Sequence, residues 1–198
     1  DDGADSVYAN GLSVLNSRNV TGTAYIVPSW VYMNFLYMNW TEIDALANAS
    51  WDIGSHGLGN NQSYGWALCQ QLGYCQSQCY LNWQCNNLII HPNLQLLNES
   101  QINFELNESK NVLQQRGYKV NHFAYPHGGW SNLSNNLTKL YYNSARITND
   151  SLEVLPENAD KYLLRSRSTN DQLKSITDYQ SYIDEAITNK GWLIWTNH

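Results

Sequence analysis

Strand-like runs alternate with helix-like runs along almost the whole chain, and that alternation leaves few folds open. Thr23-Ala-Tyr-Ile-Val27 reads as a buried strand stopped by Pro28, and Asp52-Ile-Gly-Ser-His56 reads as a second. Residues 120–125 (ending at Pro126), 144–148, 162–166 and 191–196 supply the others. Helical spacing marks residues 6–17, 41–49, 99–116, 133–141 and 171–189. The clearest helix is 99–116, where Ile102, Leu106, Ser109 and Leu113 share a face, Asn98 or Ser100 can cap it and Gly117 ends it. Thr41 is the N-cap expected for the helix over 41–49. Strands alternating with helices indicate parallel βαβ units. Asp2, His56, Tyr125-Pro126 and His198 fall where strands end, the rim at which active sites gather in α/β barrels. At 198 residues the chain is one domain able to bury a real core, and no linker or repeat divides it.

Residues 57–90 break the rhythm and read as a loop excursion. They hold all four cysteines, Cys69, Cys75, Cys79 and Cys85. An even, clustered set reads as two disulfides with three possible connectivities, and a structural zinc site is the rival. The spacing lacks the C-x-x-C pairs usual in zinc modules. Asn-x-Ser/Thr triplets recur from Asn19 to Asn149 and, with the cysteines, point to a secreted or cell-surface glycoprotein. The net charge of −6 and the lack of a basic patch exclude nucleic acid as the expected partner. No signal peptide is visible, and no apolar run is long enough to span a bilayer. The richest stretch, 24–40, is interrupted by Pro28, Ser29, Asn34 and Asn39.

Four segments carry the chemistry: Asp1-Asp2-Gly3; Trp51-Asp-Ile-Gly-Ser-His56 with His91-Pro-Asn-Leu94; Phe123-Ala-Tyr-Pro-His-Gly128; and Leu193-Ile-Trp-Thr-Asn-His198. In this order they resemble the motifs of the polysaccharide deacetylase family (carbohydrate esterase family 4, the NodB-homology domain). The resemblance spans the whole chain. It implies an α/β fold, a distorted (β/α) barrel with about seven strands, fewer than the eight of the standard form. In the family a strand precedes the Asp-Asp pair; here it is absent, so the sequence is expected to be an excised domain or partial reading frame. The family's metal motif has a second histidine four positions after the first, where this chain has Asn60. His91-Pro92-Asn93-Leu94, followed by the acidic run Glu99 to Glu105, fits the continuation of that motif, so the cysteine-bearing insertion has split the pair.

The resemblance makes Asp2, His56 and His91 the metal ligands and Asp1 the catalytic base. Two imidazoles and a carboxylate suit Zn²⁺ with positions left open, and also non-haem Fe(II). A second carboxylate beside the ligand and a distant histidine favour hydrolysis over oxygen chemistry. By the same resemblance the His127 N–H donates to the oxyanion, Tyr125 and Pro126 border the substrate, Leu193 and Trp195 wall the acetyl pocket, and His198 protonates the leaving amine with Asp171 as candidate partner. The usual arginine of the third motif is Ala124 here, and Arg146 or Arg165 is expected to orient the base from another strand. His122 reads as a surface or satisfied core residue. The implied activity is removal of N-acetyl groups from an N-acetylhexosamine polysaccharide. A carbohydrate-binding pseudoenzyme and a small-amide hydrolase of the same fold are the alternatives.

Overall fold

The computed structural model describes residues 1–59, 91–149, 151, 159–169 and 174–197. The four cysteines, Asp171 and His198 lie outside the described residues, as does most of the excursion expected over 57–90. Four parallel strands, β1 (Thr23–Ile26), β2 (Asp52–Ser55), β3 (His122–Ala124) and β4 (Ser144–Arg146), lie in the order β1-β2-β3-β4. A π-helical turn, Val7–Leu12, runs into α1 (Ser13–Asn16) before the sheet begins, so the helix expected over 6–17 forms in two parts. Asn10-Gly11, inside the π-helical stretch, is poor helix-forming sequence. Helices α2 (Trp40–Asn48), α3 (Glu99–Gln115) and α4 (Asn132–Tyr141) then separate successive strands. Beyond β4, α5 (Ile176–Asn189) separates β5 (Arg167–Ser168) from β6 (Trp195–Thr196), a second parallel pair.

Reciprocal capping boxes start α2 to α5, at Asn39/Glu42, Asn98/Gln101, Ser131/Ser134 and Ser175/Asp178. The cap of α2 is therefore Asn39, two residues before the expected Thr41. Only at Asn39 does Glu42 stand three positions on, where its carboxylate accepts from the Asn39 N–H at 2.8 Å. The strand expected over 162–166 is also corrected. Leu164 makes a single parallel bridge to Arg146, and paired strand starts at Arg167. Hydrogen bonds still continue from β4 through this segment, from the Ile147 N–H to Leu164 O (2.8 Å) and from the Arg167 N–H to Ile194 O (2.9 Å). At the other edge, the Asp1 nitrogen donates to Asn197 O (2.8 Å), and the Gly3 N–H donates to Tyr25 O (3.1 Å).

Alternation along each strand divides the side chains between two faces. Ile26, Ile53, Phe123 and Ala145 turn towards the helices and are buried in one core with Ile43, Leu46, Ile102, Leu106, Leu113 and Leu137. The opposite face carries Tyr25, Gly54, Ala124 and Arg146. Gly54 has no side chain there because the Tyr25 ring occupies the space. An added Cβ would lie 2.6 Å from the ring and 3.1 Å from His122 O. No helix among the described residues is long and apolar enough to cross a membrane.

Candidate metal centre

The C-terminal ends of β1 to β4 bring together residues far apart in sequence. His56 follows β2 directly, and its N–H donates to Ile26 O at the end of β1 (2.9 Å). Asp2 (φ 61°) and Gly3 (φ 70°) both take the left-handed conformation, so the chain turns sharply at the Asp-Asp pair. That turn lets both carboxylates face one imidazole. His56 Nε2 lies 3.9 Å from Asp1 Oδ2 and 3.5 Å from Asp2 Oδ1. His91 Nδ1 lies 3.6 Å from the same Asp2 oxygen. Asp2, His56 and His91 each offer one ligand atom, and those atoms lie within 4.8 Å of one another.

The hydrogen bonds of the outer ring nitrogens fix which atom of each histidine faces inward. His56 Nδ1 is 2.8 Å from Ala124 O, and His91 Nε2 is 2.6 Å from His56 O. A carbonyl oxygen can only accept, so both outer nitrogens carry the proton. In the neutral ring the inner nitrogens, His56 Nε2 and His91 Nδ1, then present lone pairs to Asp2. Burial, with the nearby charges of His91 and Arg146, holds His56 well below its ordinary value and so favours the neutral ring. Two lone pairs and a carboxylate oxygen converging in a buried place repel one another, and a divalent cation among them removes the conflict. The donor set fits such an ion, and the imidazole-to-carbonyl bonds are the usual outer support of metal-bound histidines.

Asp1 is held apart from this trio of ligands. Its Oδ1 is paired with Nη2 of Arg146, a buried residue at the end of β4. The guanidinium lies over the Tyr25 ring, 4.9 Å from its centroid. Arg146 is the register partner of Ala124 on β3, so the arginine that the third motif lacks is present one strand away at the same level. Arg165 lies half-buried on the segment leading to β5.

Other expected site residues take different places. Tyr125 is fully buried, edge-on to Phe123 at 5.3 Å, on the helix side of β3. Alternation turns its side chain inward, and burial raises its hydroxyl to about 12. Pro126 is buried beside Gly57, where an added Cβ would lie 3.4 Å from its ring. His127 is exposed, in left-handed conformation (φ 56°), and its N–H makes no hydrogen bond among the described residues. Trp195 packs on Tyr179 and Tyr182 of α5 at 5.7 and 5.9 Å, and its neighbour Thr196 takes the buried side of β6. Leu193 is half-buried. His122 pairs with Ser144 Oγ at 2.8 Å.

Two contributors were not singled out from sequence. Glu105, fully buried on α3, accepts from the Leu58 and Gly59 N–H groups at 2.7 and 3.3 Å and shapes the turn that leaves His56. Its signal was an acid three residues after Ile102, on the apolar face of the helix. Trp30 sits edge-on to His91 (5.0 Å) and 4.9 Å from Tyr37, giving the site an aromatic border. No periodicity marks that loop.

The fold matches known structures at low identity. The Streptococcus pyogenes deacetylase PplD, in complex with acetate, aligns with TM-score 0.65 and 13% identity over 92% of this chain and 67% of that one. A polysaccharide deacetylase from Bacillus cereus aligns with TM-score 0.65 and 18% identity, over 92% of this chain and 49% of that one. A carbohydrate esterase family 4 pseudoenzyme from Bacillus anthracis aligns with TM-score 0.55 and 13% identity, over 98% of this chain and 50% of that one. The chain thus spans from about half to two thirds of the length of these proteins. No curated protein sequence matches it significantly. The family described as polysaccharide deacetylase matches residues 1–145. The chain belongs to the polysaccharide deacetylase family, a family of carbohydrate deacetylases.

Proposed function

We propose that this chain is a metal-dependent N-deacetylase of an N-acetylhexosamine polymer, chitin-like, peptidoglycan-like or poly-N-acetylglucosamine, with Zn²⁺ as its ion. The observation that carries this reading is the convergence of the His56 and His91 lone pairs on Asp2. Two nitrogens and one carboxylate oxygen suit Zn²⁺ and leave positions for water and substrate. Once bound, the ion acidifies a water and polarises the amide carbonyl. Asp1 lies beside the ligands without belonging to them, anchored by Arg146, and takes the proton of the attacking water as general base. The His127 N–H donates to the oxygen that becomes negative, a contribution of roughly 3–4 kcal/mol by analogy with other oxyanion holes. His198 protonates the leaving amine, with Asp171 as its candidate partner.

Polymer substrate is supported by the aromatic border. Beyond Trp30 and Tyr37, the same loop carries exposed Tyr32 and Phe35, faces on which sugar rings can stack. The hydrogen bonds running from β4 to β6 and on through Asp1 and Gly3 to β1 support a closed, distorted barrel. The even, clustered cysteines support an insertion tied by disulfides, and its position between His56 and His91 supports a role for it in shaping the sugar groove. Deleting 58–88 and rejoining the chain tests this role, which unchanged specificity in a folded variant would sink. The clustered cysteines and the glycosylation triplets support an extracytoplasmic glycoprotein, although Asn39 and Asn98 also serve as helix caps.

The test is metal content after purification followed by acetate release from chito-oligosaccharides. One equivalent of metal and chelator-sensitive release is the expected result. Oligosaccharide binding with no metal and no acetate would establish the pseudoenzyme reading, for which Ala124 is the best support and the Asp1–Arg146 pair the best counter-argument. Activity on free N-acetylglucosamine or cyclic ureides but not on oligomers would establish the small-amide hydrolase.

A further inference from the structure

We propose that the His127 side chain is a positioning residue for the metal centre, locking the displaced ligand His91 in place. The proposal rests on the metal reading above and concerns the imidazole, separate from the backbone N–H. His56 and His91 are 35 positions apart, so no single turn of chain sets the distance between them. Hydrogen bonds set it instead. His127 Nε2 is 2.9 Å from His91 O, His91 Nε2 is 2.6 Å from His56 O, and His56 Nδ1 is 2.8 Å from Ala124 O. Each acceptor is a carbonyl, so each ring nitrogen donates. Ala124 and His127 flank one tight turn, so the three bonds close into a cycle. It runs from His127 to His91, to His56, to Ala124 and back along the chain to His127.

The turn that carries His127 is itself held fast. The Gly128 N–H donates to Tyr125 O (2.9 Å) and the Gly129 N–H to Pro126 O (3.0 Å). Thr148 fills the space a side chain at Gly128 would need. His127 has φ 56°, a conformation unfavourable to a residue with a Cβ, and such strain persists where the surroundings enforce it. The ring lies 5.3 Å from that of His91, yet His127 is not in the cluster whose ligand atoms converge. Its role is to hold the backbone of His91 while the His91 ring is held by His56. Without it, the His91 backbone loses this hold, while the bond from the ring to His56 O remains.

The test measures Zn²⁺ affinity by competition with a chromogenic chelator, and the visible spectrum of the Co²⁺-loaded protein, for wild type, His127→Ala and His127→Gln. The expected result is affinity about 10–100-fold weaker in His127→Ala, the range for loss of an outer partner. The Co²⁺ spectrum should change as well, with substantial rescue in His127→Gln, whose amide N–H can donate to the same carbonyl. Unaltered affinity and spectrum in His127→Ala would overturn the proposal while leaving the metal reading intact; wild type that takes up neither ion would overturn both. Nitrogen-15 NMR of the histidines in the Zn²⁺-loaded wild type decides the matter even if the variants do not fold. His127 protonated at Nε2 supports the proposal, and protonation at Nδ1 alone overturns it.

Discussion

Asp1 and Asp2 are chemically alike and adjacent, and their surroundings give them different work. Asp2 shares one oxygen between two imidazole nitrogens, whereas Asp1 is tied down by Arg146. If Asp1 is the base proposed above, Asp1→Asn should keep the metal and lower kcat by about 10²–10⁴-fold, the usual worth of a general base; metal analysis and acetate release measure the two separately. Arg146→Met should keep the metal too and leave KM little changed, with kcat about 10²-fold lower because the base is no longer aimed. A KM rise without a kcat loss would assign Arg146 to substrate binding. The sequence allowed Asp1, Asp2, His56 and His91 to be named because each stands in an ordered motif. It left Arg146 and Arg165 as equals. The strand register, with Ala124 opposite Arg146, and the pairing of Arg146 with Asp1 separate them.

The helices show what apolar spacing alone can and cannot specify. Their existence was legible from repeats such as Ile102, Leu106 and Leu113, and Asn98 was one of the two caps the sequence offered for α3; the cap of α2 fell at Asn39 rather than Thr41 because a capping box depends on a partner three residues on. Asn98 accepts from the Gln101 N–H at 3.0 Å, and Asn98→Ala should cost about 1 kcal/mol in urea unfolding with little effect on metal affinity. At α5, Asp178 accepts from the Ser175 N–H (2.6 Å) and hydroxyl (2.7 Å), and these bonds hold its carboxyl below the ordinary value. A lowered folded value means the stabilisation is complete above the ordinary value of 3.8 and is lost as pH falls through the folded one. Protection of the α5 amides against exchange, corrected for the intrinsic rate, should fall on acidification past that point, and Asp178→Asn should abolish the dependence. Short strands were harder to read. The stretch 162–166 has strand composition, but its neighbour β4 ends at Arg146 and offers a single bridge. The face taken by Trp195 was not legible for a related reason, since a two-residue strand carries too little pattern to tell inside from outside.

For the molecule as a whole, the fold class was legible because parallel strands need crossover helices, and the sequence supplies them in alternation. The site was legible only as far as its motifs; the aromatic border and the buried Glu105 depend on long-range packing that no local spacing reports. A cation held by Asp2, His56 and His91, which come from three separate segments of the chain, should stabilise the entire domain. Metal at one hundred times its Kd adds about 2.7 kcal/mol, so thermal melts with and without chelator should differ by several degrees. Identical melts for protein shown to carry metal would mean that the ion is held by only part of the fold. All four strands of the main sheet point the same way, so the chemistry crowds one rim. The opposite rim, where Asp52 is exposed and His122 bonds to Ser144, is spared. A tether attached at that far side would leave the rim bearing Asp1, Asp2, His56 and His91 facing outward, so a surface-immobilised form would keep the proposed centre turned towards a polymer presented from solution.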